Sequence, residues 1–123
     1  MPEKILIVED EKSQLEALKD YVRSLGYKVV TARNGLEAIE KFKAIDPRLV
    51  LLDIVMPEKN GFDVLEEIRY KLKKNTPVII LSNLEQQQDI ETAKNLGVTQ
   101  YLLKSNLSLR KLGIIMNEAL QSN

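Results

Sequence analysis

Short apolar runs alternate with helical repeats along the whole chain, and this alternation constrains the fold more than any other feature. The strand candidates are residues 5–8, 28–31, 49–52, 78–81 and 100–103. The first, third and fourth are unbroken aliphatic quartets, a pattern typical of parallel strands that are covered on both faces. Five β-α units in succession predict an α/β fold, with a doubly wound five-stranded parallel sheet. The flavodoxin-like order 2-1-3-4-5 is the common solution, and it would place strands 1 and 3 side by side.

Apolar residues at three- and four-residue steps predict a helix after each strand. The first and fifth helices would place in the core Leu15, Leu18, Val22, Leu25, Leu109, Leu112, Met116 and Leu120. Ser13 and Glu16 fit a capping box at the start of the first helix. Gly26 and Gly97 each follow a leucine just before a strand, so they predict helix ends with left-handed backbone.

Composition excludes several kinds of function. Eighteen basic and eighteen acidic residues cancel within 123 residues, so the basic footprint of a nucleic-acid-binding protein is absent from the totals. Membrane binding is not expected either, since no apolar stretch approaches the length of a membrane span. Without cysteine the chain has no disulfide or thiolate metal site, and without histidine it has neither imidazole catalysis nor a phosphohistidine of its own.

Carboxylates follow two of the predicted strands. Glu9 and Asp10 come directly after strand 1, and Asp53 comes directly after strand 3. In open α/β sheets ligands bind at the carboxyl ends of the strands, where the strand order reverses. The two acidic groups therefore predict one shared pocket that holds a divalent cation. Ser82 and Lys104 occupy the corresponding positions after strands 4 and 5.

An acidic pair, an aspartate, a serine and a lysine, in this order at strand ends, resemble the receiver domain of two-component response regulators, in particular the single-domain chemotaxis type. The resemblance covers essentially the whole chain. It is carried by four motifs, which are Val8-Glu9-Asp10, Leu52-Asp53-x-x-Met56-Pro57-x-x-x-Gly61, Ile80-Leu81-Ser82 and Tyr101-Leu102-Leu103-Lys104.

The resemblance implies a role for each matching residue in phosphoryl transfer. Asp53 would be the nucleophile that accepts a phosphoryl group, and Ser82 and Lys104 would contact its oxygens. Tyr101 would be the aromatic side chain that changes rotamer when Ser82 moves; an edge-strand tyrosine with its hydroxyl in solvent is the alternative.

The resemblance also implies Mg²⁺ as the cofactor. Asp10 and Asp53 would supply carboxylate oxygens, Val55 its backbone carbonyl, and Glu9 would act mainly through a metal-bound water.

Four residues depart from the family pattern. Ser105 stands where a proline with a cis peptide is usual, which leaves a cis or a trans bond open. Asn83 replaces a small residue after Ser82. Val55 and Leu84 are apolar at two positions that influence hydrolysis of the acyl phosphate in this family. With neither side chain able to orient water, we expect a long-lived Asp53 phosphate.

The leading hypothesis is therefore a phosphorylation-activated signalling switch that changes its helix 4, strand 5 and helix 5 surface. Its partners would be a histidine kinase or histidine phosphotransfer protein and a downstream target protein, in the cytoplasm. We expect residues 1–123 to be a single receiver domain without an output domain, either a single-domain regulator or a receiver excised from a longer protein. We expect no turnover of an external substrate.

Three alternatives remain open. A phosphorylation-independent interaction module could use the same fold. A haloacid-dehalogenase-like phosphatase also uses a strand-end aspartate as its nucleophile. Phosphatases of that kind share a second aspartate two residues after the nucleophile, where this chain has Val55. A flavodoxin is disfavoured because no Ser/Thr/Gly-rich phosphate loop follows strand 1.

Overall fold

A computed structural model describes residues 3–121. Five strands and five main helices alternate along them. The strands are β1 (Lys4–Val8), β2 (Lys28–Ala32), β3 (Leu49–Leu52), β4 (Val78–Ser82) and β5 (Gln100–Leu103). The helices are α1 (Lys12–Ser24), α2 (Gly35–Ile45), α3 (Gly61–Glu66), α4 (Gln87–Asn95) and α5 (Leu109–Gln121). A π-helical turn, Glu67–Lys71, continues α3, and a 3-10 turn, Lys104–Asn106, joins β5 to α5.

All strand pairs are parallel, and the sheet order is β2-β1-β3-β4-β5. The predicted α/β fold and strand order are confirmed. The predicted β3 and β5 match the structure at both ends, whereas β1, β2 and β4 are each one residue longer than predicted. None of the helices within residues 3–121 has both the length and the apolar composition that a bilayer crossing requires.

Alternate residues of the central strands point to opposite faces of the sheet, and each face has its own core. Leu6 and Val8 of β1 belong to the cluster that packs against α2, α3 and α4. Ile5 and Ile7 belong to the cluster that packs against α1 and α5. The sheet is therefore covered on both sides, as the aliphatic quartets predict.

Two leucines of the predicted helical stripes are exposed instead of buried. Leu25 is 42% exposed because it lies just beyond the end of α1, and Leu109 is 44% exposed as the first residue of α5. The helix ends at Gly26 and Gly97 are confirmed, since both glycines have the positive φ angles, 96° and 87°, that the backbone needs there.

The capping box predicted for α1 is wrong. Glu11 caps the helix, and its carboxylate accepts the N–H groups of Ser13 and Gln14 at 3.2 and 3.0 Å. The Ser13 hydroxyl donates to the same carboxylate, and Glu16 pairs with Lys19. These hydrogen bonds, that of Ser13 foremost, lower the pKa of Glu11. An anion at this position also complements the positive end of the helix dipole.

Candidate functional site

The acidic residues meet at the carboxyl edge of the sheet. Val8 and Leu52 are register partners in the β1–β3 pair, so the residues that follow them leave the sheet side by side. The Asp53 N–H donates to the Val8 carbonyl at 3.0 Å, which ties the loop after β3 to the end of β1. The predicted proximity of the two acidic groups is confirmed.

Glu9, Asp10 and Asp53 form one carboxylate cluster. Each offers an oxygen, and these oxygens all lie within 4.8 Å of one another. Glu9 is 2% exposed and Asp53 8% exposed, while Asp10 is half-buried. Three carboxylates at this spacing repel one another unless a cation or a proton joins them.

The electrostatics of Asp53 reflect this crowding. Burial raises its pKa from the ordinary 3.8 to about 6, and repulsion from Glu9 acts in the same direction. Attraction to Lys104 and a 2.9 Å hydrogen bond from the Ile54 N–H oppose the rise. The charged form of Asp53 is thus costly in the metal-free protein.

Lys104 reaches into the cluster from the end of β5. Its Nζ donates to Oε1 of Glu9 at 2.8 Å and lies 3.7 Å from Oδ1 of Asp53. The peptide bond from Lys104 to Ser105 is trans, since residues 3–121 contain no cis peptide bond. Lys104 therefore provides a positive charge at the mouth of the pocket, next to the predicted nucleophile.

Ser82 and Tyr101 both bind the backbone of Leu84, in the loop after β4. The Ser82 side chain is buried, and its Oγ accepts the Leu84 N–H at 3.0 Å. The Tyr101 hydroxyl donates to the Leu84 carbonyl at 2.8 Å. Burial raises the pKa of Tyr101. The hydrogen bond to Leu84 fixes the Tyr101 hydroxyl to the loop between β4 and α4. This contact argues against the alternative of an edge-strand tyrosine with its hydroxyl in solvent.

The loop after β3 contains Val55 and returns to the backbone of Asp53 at Gly61. The Val55 side chain is 63% exposed. The Gly61 N–H donates to the Ile54 carbonyl at 2.8 Å. A Cβ atom at Gly61 would lie 2.4 Å from the Asp53 carbonyl oxygen, so only glycine fits this approach without a shift of backbone. Asn83 is exposed and Leu84 is half-buried.

Two contacts of the site have no counterpart in the sequence analysis. Gln14 accepts a 2.7 Å hydrogen bond from Lys104, and Nη2 of Arg33 donates to the Asp10 carbonyl at 3.1 Å. Each joins residues far apart in the chain. The signal for Gln14 in the sequence was only indirect: a cap at Glu11 or at Ser13 puts Gln14 in the first turn of α1, near the strand ends, but neither indicates a contact with Lys104.

The carboxylate cluster fits Mg²⁺ by the chemistry of its donors. Mg²⁺ prefers oxygen ligands, and it commonly binds through one or two carboxylates together with phosphate and water. The cluster is acidic, partly buried and open on the side of Asp10. Residues 9, 10 and 53 therefore have the ligand type and the spacing that such an ion needs.

The model of the response regulator receiver domain family matches residues 5–113 of this chain. The chemotaxis protein CheY of Thermotoga maritima is 38% identical over 105 residues, which cover 85% of this chain and 87% of that protein. The regulator of RpoS of Escherichia coli is 41% identical over 108 residues, which cover 88% of this chain but 32% of that longer protein.

Solved structures agree with this similarity. A CheY-like receiver domain protein from Methanospirillum hungatei superposes with a TM-score of 0.93 at 26% identity, covering 99% of this chain and 96% of that one. A receiver domain protein from Clostridium thermocellum gives a TM-score of 0.89 at 30% identity, covering 98% of this chain and 95% of that one.

Proposed function

The chain belongs to the response regulator receiver domain family of two-component signal transduction, and on this premise we propose that it is a switch that accepts a phosphoryl group on Asp53. The observation that carries the proposal is the arrangement around that residue. A buried carboxylate has two further carboxylates within 4.8 Å and the Lys104 ammonium at 3.7 Å. Phosphoryl transfer needs this combination of an aligned nucleophile and compensating charge more than it needs covalent help.

In the proposed reaction an Asp53 carboxylate oxygen forms a bond to phosphorus. The bond between phosphorus and the imidazole nitrogen of a partner's phosphohistidine breaks, and the nitrogen keeps the electron pair. Asp53 must be ionised to act in this way. Its raised pKa of about 6 still leaves it mostly ionised at neutral pH.

The metal in this proposal is Mg²⁺. Asp10 and Asp53 would each supply a carboxylate oxygen, and Val55 would supply its backbone carbonyl oxygen. Glu9 would act through a metal-bound water. When bound, the ion would compensate the crowded carboxylates and the negative charge on the phosphoryl oxygens. The buried Glu9 and Asp53 support this assignment, because a pocket of mutually repelling carboxylates favours a divalent cation.

Ser82 and Lys104 are proposed to bind the phosphoryl oxygens. Lys104 carries a mobile point charge. Its Nζ now lies 3.7 Å from Oδ1 of Asp53, and we expect a phosphoryl oxygen bound to Asp53 to lie closer to Nζ than that. The Ser82 hydroxyl now accepts the Leu84 N–H and also makes a hydrogen bond with the Tyr101 hydroxyl. We propose that it turns its proton toward a phosphoryl oxygen when one is bound to Asp53.

The proposed conformational readout passes through Leu84. Its N–H is bound to Ser82 and its carbonyl to Tyr101, so movement of Ser82 toward a phosphoryl group would pull on the acceptor of Tyr101. We expect the change to reach the surface formed by α4, β5 and α5, where a downstream target protein would bind. A histidine kinase or histidine phosphotransfer protein as the phosphoryl donor and a cytoplasmic location complete the proposal.

Phosphate-affinity electrophoresis after incubation with acetyl phosphate and Mg²⁺ tests the function. We expect a shifted band for the wild type and for Asp20→Asn, a matched control on the exposed side of α1. Asp53→Asn should give no shifted band. A folded wild type without any shifted band would refute the proposal in favour of the phosphorylation-independent interaction module, and a shifted band in Asp53→Asn would refute the assignment of the nucleophile.

A further inference from the structure

Lys104 has a second hydrogen-bond partner that lies outside the carboxylate cluster. Its Nζ donates to Oε1 of Gln14 at 2.7 Å in addition to Oε1 of Glu9 at 2.8 Å. The distance of 3.7 Å to Asp53 is too long for a hydrogen bond. An ammonium group has three N–H donors, so these two bonds leave one donor for a further acceptor.

Gln14 is held firmly at its backbone. It lies in the first turn of α1, where its N–H donates to the Glu11 carboxylate at 3.0 Å. Its side chain spans from α1 to the turn after β5, ninety residues along the chain. Gln14 is exposed, whereas the next residue, Leu15, is buried in the core. The side chain of Gln14 can therefore be replaced without opening a cavity in the core.

The contact borders a largely apolar cleft between α1 and α5. This cleft has a volume of about 190 Å³, and Gln14 and Lys104 contribute to its lining together with Leu18, Leu81 and Leu112. Apart from Gln14 and Lys104, the residues that line the cleft are apolar except for Ser108. Polar interactions beside apolar walls are less weakened by water than those on an open surface.

The chemistry of the amide suits it to hold Lys104 without neutralising it. A glutamine oxygen accepts a hydrogen bond but carries no net charge. The ammonium therefore keeps its positive charge for an incoming anion. A carboxylate in the same place would form an ion pair and compete with the phosphoryl oxygens for Lys104.

We infer that Gln14 is a positioning residue that holds the Lys104 ammonium over Asp53 for phosphoryl transfer; this inference rests on the proposed function. Lys104 is shared between Glu9 and Gln14. If Glu9 bound a cation or its water instead, Gln14 would still keep Nζ at the mouth of the pocket.

The test compares Gln14→Met, which keeps the length of the side chain but removes the acceptor, with Gln88→Met on the exposed surface of α4. With acetyl phosphate and Mg²⁺, we expect Gln14→Met to lower the rate constant of phosphorylation about three- to tenfold. That range lies below the effect of a buried charge-assisted hydrogen bond, because Gln14 is exposed. Gln88→Met should react at the wild-type rate.

Two further measurements separate positioning from a general structural effect. In a Lys104→Met background, Gln14→Met should cause no additional loss, since its effect passes through the missing ammonium. By NMR, the Lys104 ε-methylene should be more mobile in Gln14→Met than in the wild type, with Mg²⁺ and beryllofluoride present.

A wild-type rate in Gln14→Met, an equal loss in the Lys104→Met background, or an unchanged Lys104 mobility would each overturn the role of Gln14. Each of these results leaves the switch function standing when the wild type is phosphorylated. A wild type that takes up no phosphoryl group refutes the proposed function itself, and the positioning role with it.

Discussion

Replacement of Asp53 by asparagine is expected to stabilise the metal-free protein. The pKa of Asp53 is raised from 3.8 to about 6 in the folded state by burial, with Glu9 adding to the rise. Below pH 3.8 the group is protonated in both the folded and the unfolded chain, and it costs nothing. Above pH 6 it is ionised in both, and the folded state bears the full cost. The stability contributed by the protonated form is therefore lost as the pH rises from about 4 to about 6.

The size of this cost follows from the two pKa values. Each pKa unit corresponds to about 1.4 kcal/mol, so the difference between 3.8 and about 6 amounts to about 3 kcal/mol. Asparagine removes the charge, and its carbonyl oxygen can still accept the Ile54 N–H. The raised pKa of about 6 already includes the attraction between Asp53 and Lys104, so the loss of that attraction in the variant needs no further correction. We expect Asp53→Asn to increase the free energy of unfolding by about 2 kcal/mol at pH 7.5.

Urea unfolding followed by circular dichroism measures this free energy, since the chain has no tryptophan to follow by fluorescence. Asp20→Asn, with the same change of charge at an exposed site, serves as the control. The gain should fall below about 1 kcal/mol at pH 4. It should also shrink in Mg²⁺, which at ten times its dissociation constant would stabilise the wild type by about 1.4 kcal/mol. An Asp53→Asn protein no more stable than the wild type at pH 7.5, or a gain unchanged at pH 4, would refute this reasoning.

Three further substitutions test other parts of the site. Val55→Asn should shorten the lifetime of the Asp53 phosphate after desalting, because an amide can orient water; fast decay in both proteins would contradict a long-lived phosphate. Tyr101→Phe removes the hydrogen bond to the Leu84 carbonyl, so we expect a loss of about 1 kcal/mol and faster Leu84 amide exchange, and unchanged exchange would argue against the coupling. Gly61→Ala forces a Cβ to 2.4 Å from the Asp53 carbonyl oxygen, so we expect it to lower the free energy of unfolding by about 1–3 kcal/mol. It should also weaken Mg²⁺ binding, which calorimetry measures. A wild-type affinity for Mg²⁺ would show that the loop adapts to the methyl group.

Local patterns predict the fold of this chain well because its central strands are buried on both faces. The quartet at β3, Leu49–Leu52, has no polar residue inside it, and the turn that follows begins at Asp53. The strand order then brings Glu9, Asp10 and Asp53 together without further information. For these three residues, the path of the backbone is enough to determine that their side chains lie close together.

Contacts made by the tips of long side chains were not predictable in the same way. Ser13 fits a cap by residue type, yet the carboxylate of Glu11 reaches two N–H groups of the same turn and displaces it. Lys104 lies between Glu9 and Gln14 because the positions of several charges and the first turn of α1 decide where its ammonium rests. Such contacts depend on competition in three dimensions, and no pattern along the chain reports them.

The division of the core into two layers has a consequence for how proteins of this kind diversify. The layer beneath α1 and α5 and the layer beneath α2, α3 and α4 draw on alternate residues of the same strands. Helix surfaces on one side can therefore be exchanged or redesigned while the packing on the other side stays intact. A partner of α1, or of α2 and α3, can therefore change with one layer alone, whereas the proposed surface of α4, β5 and α5 takes one helix from each layer.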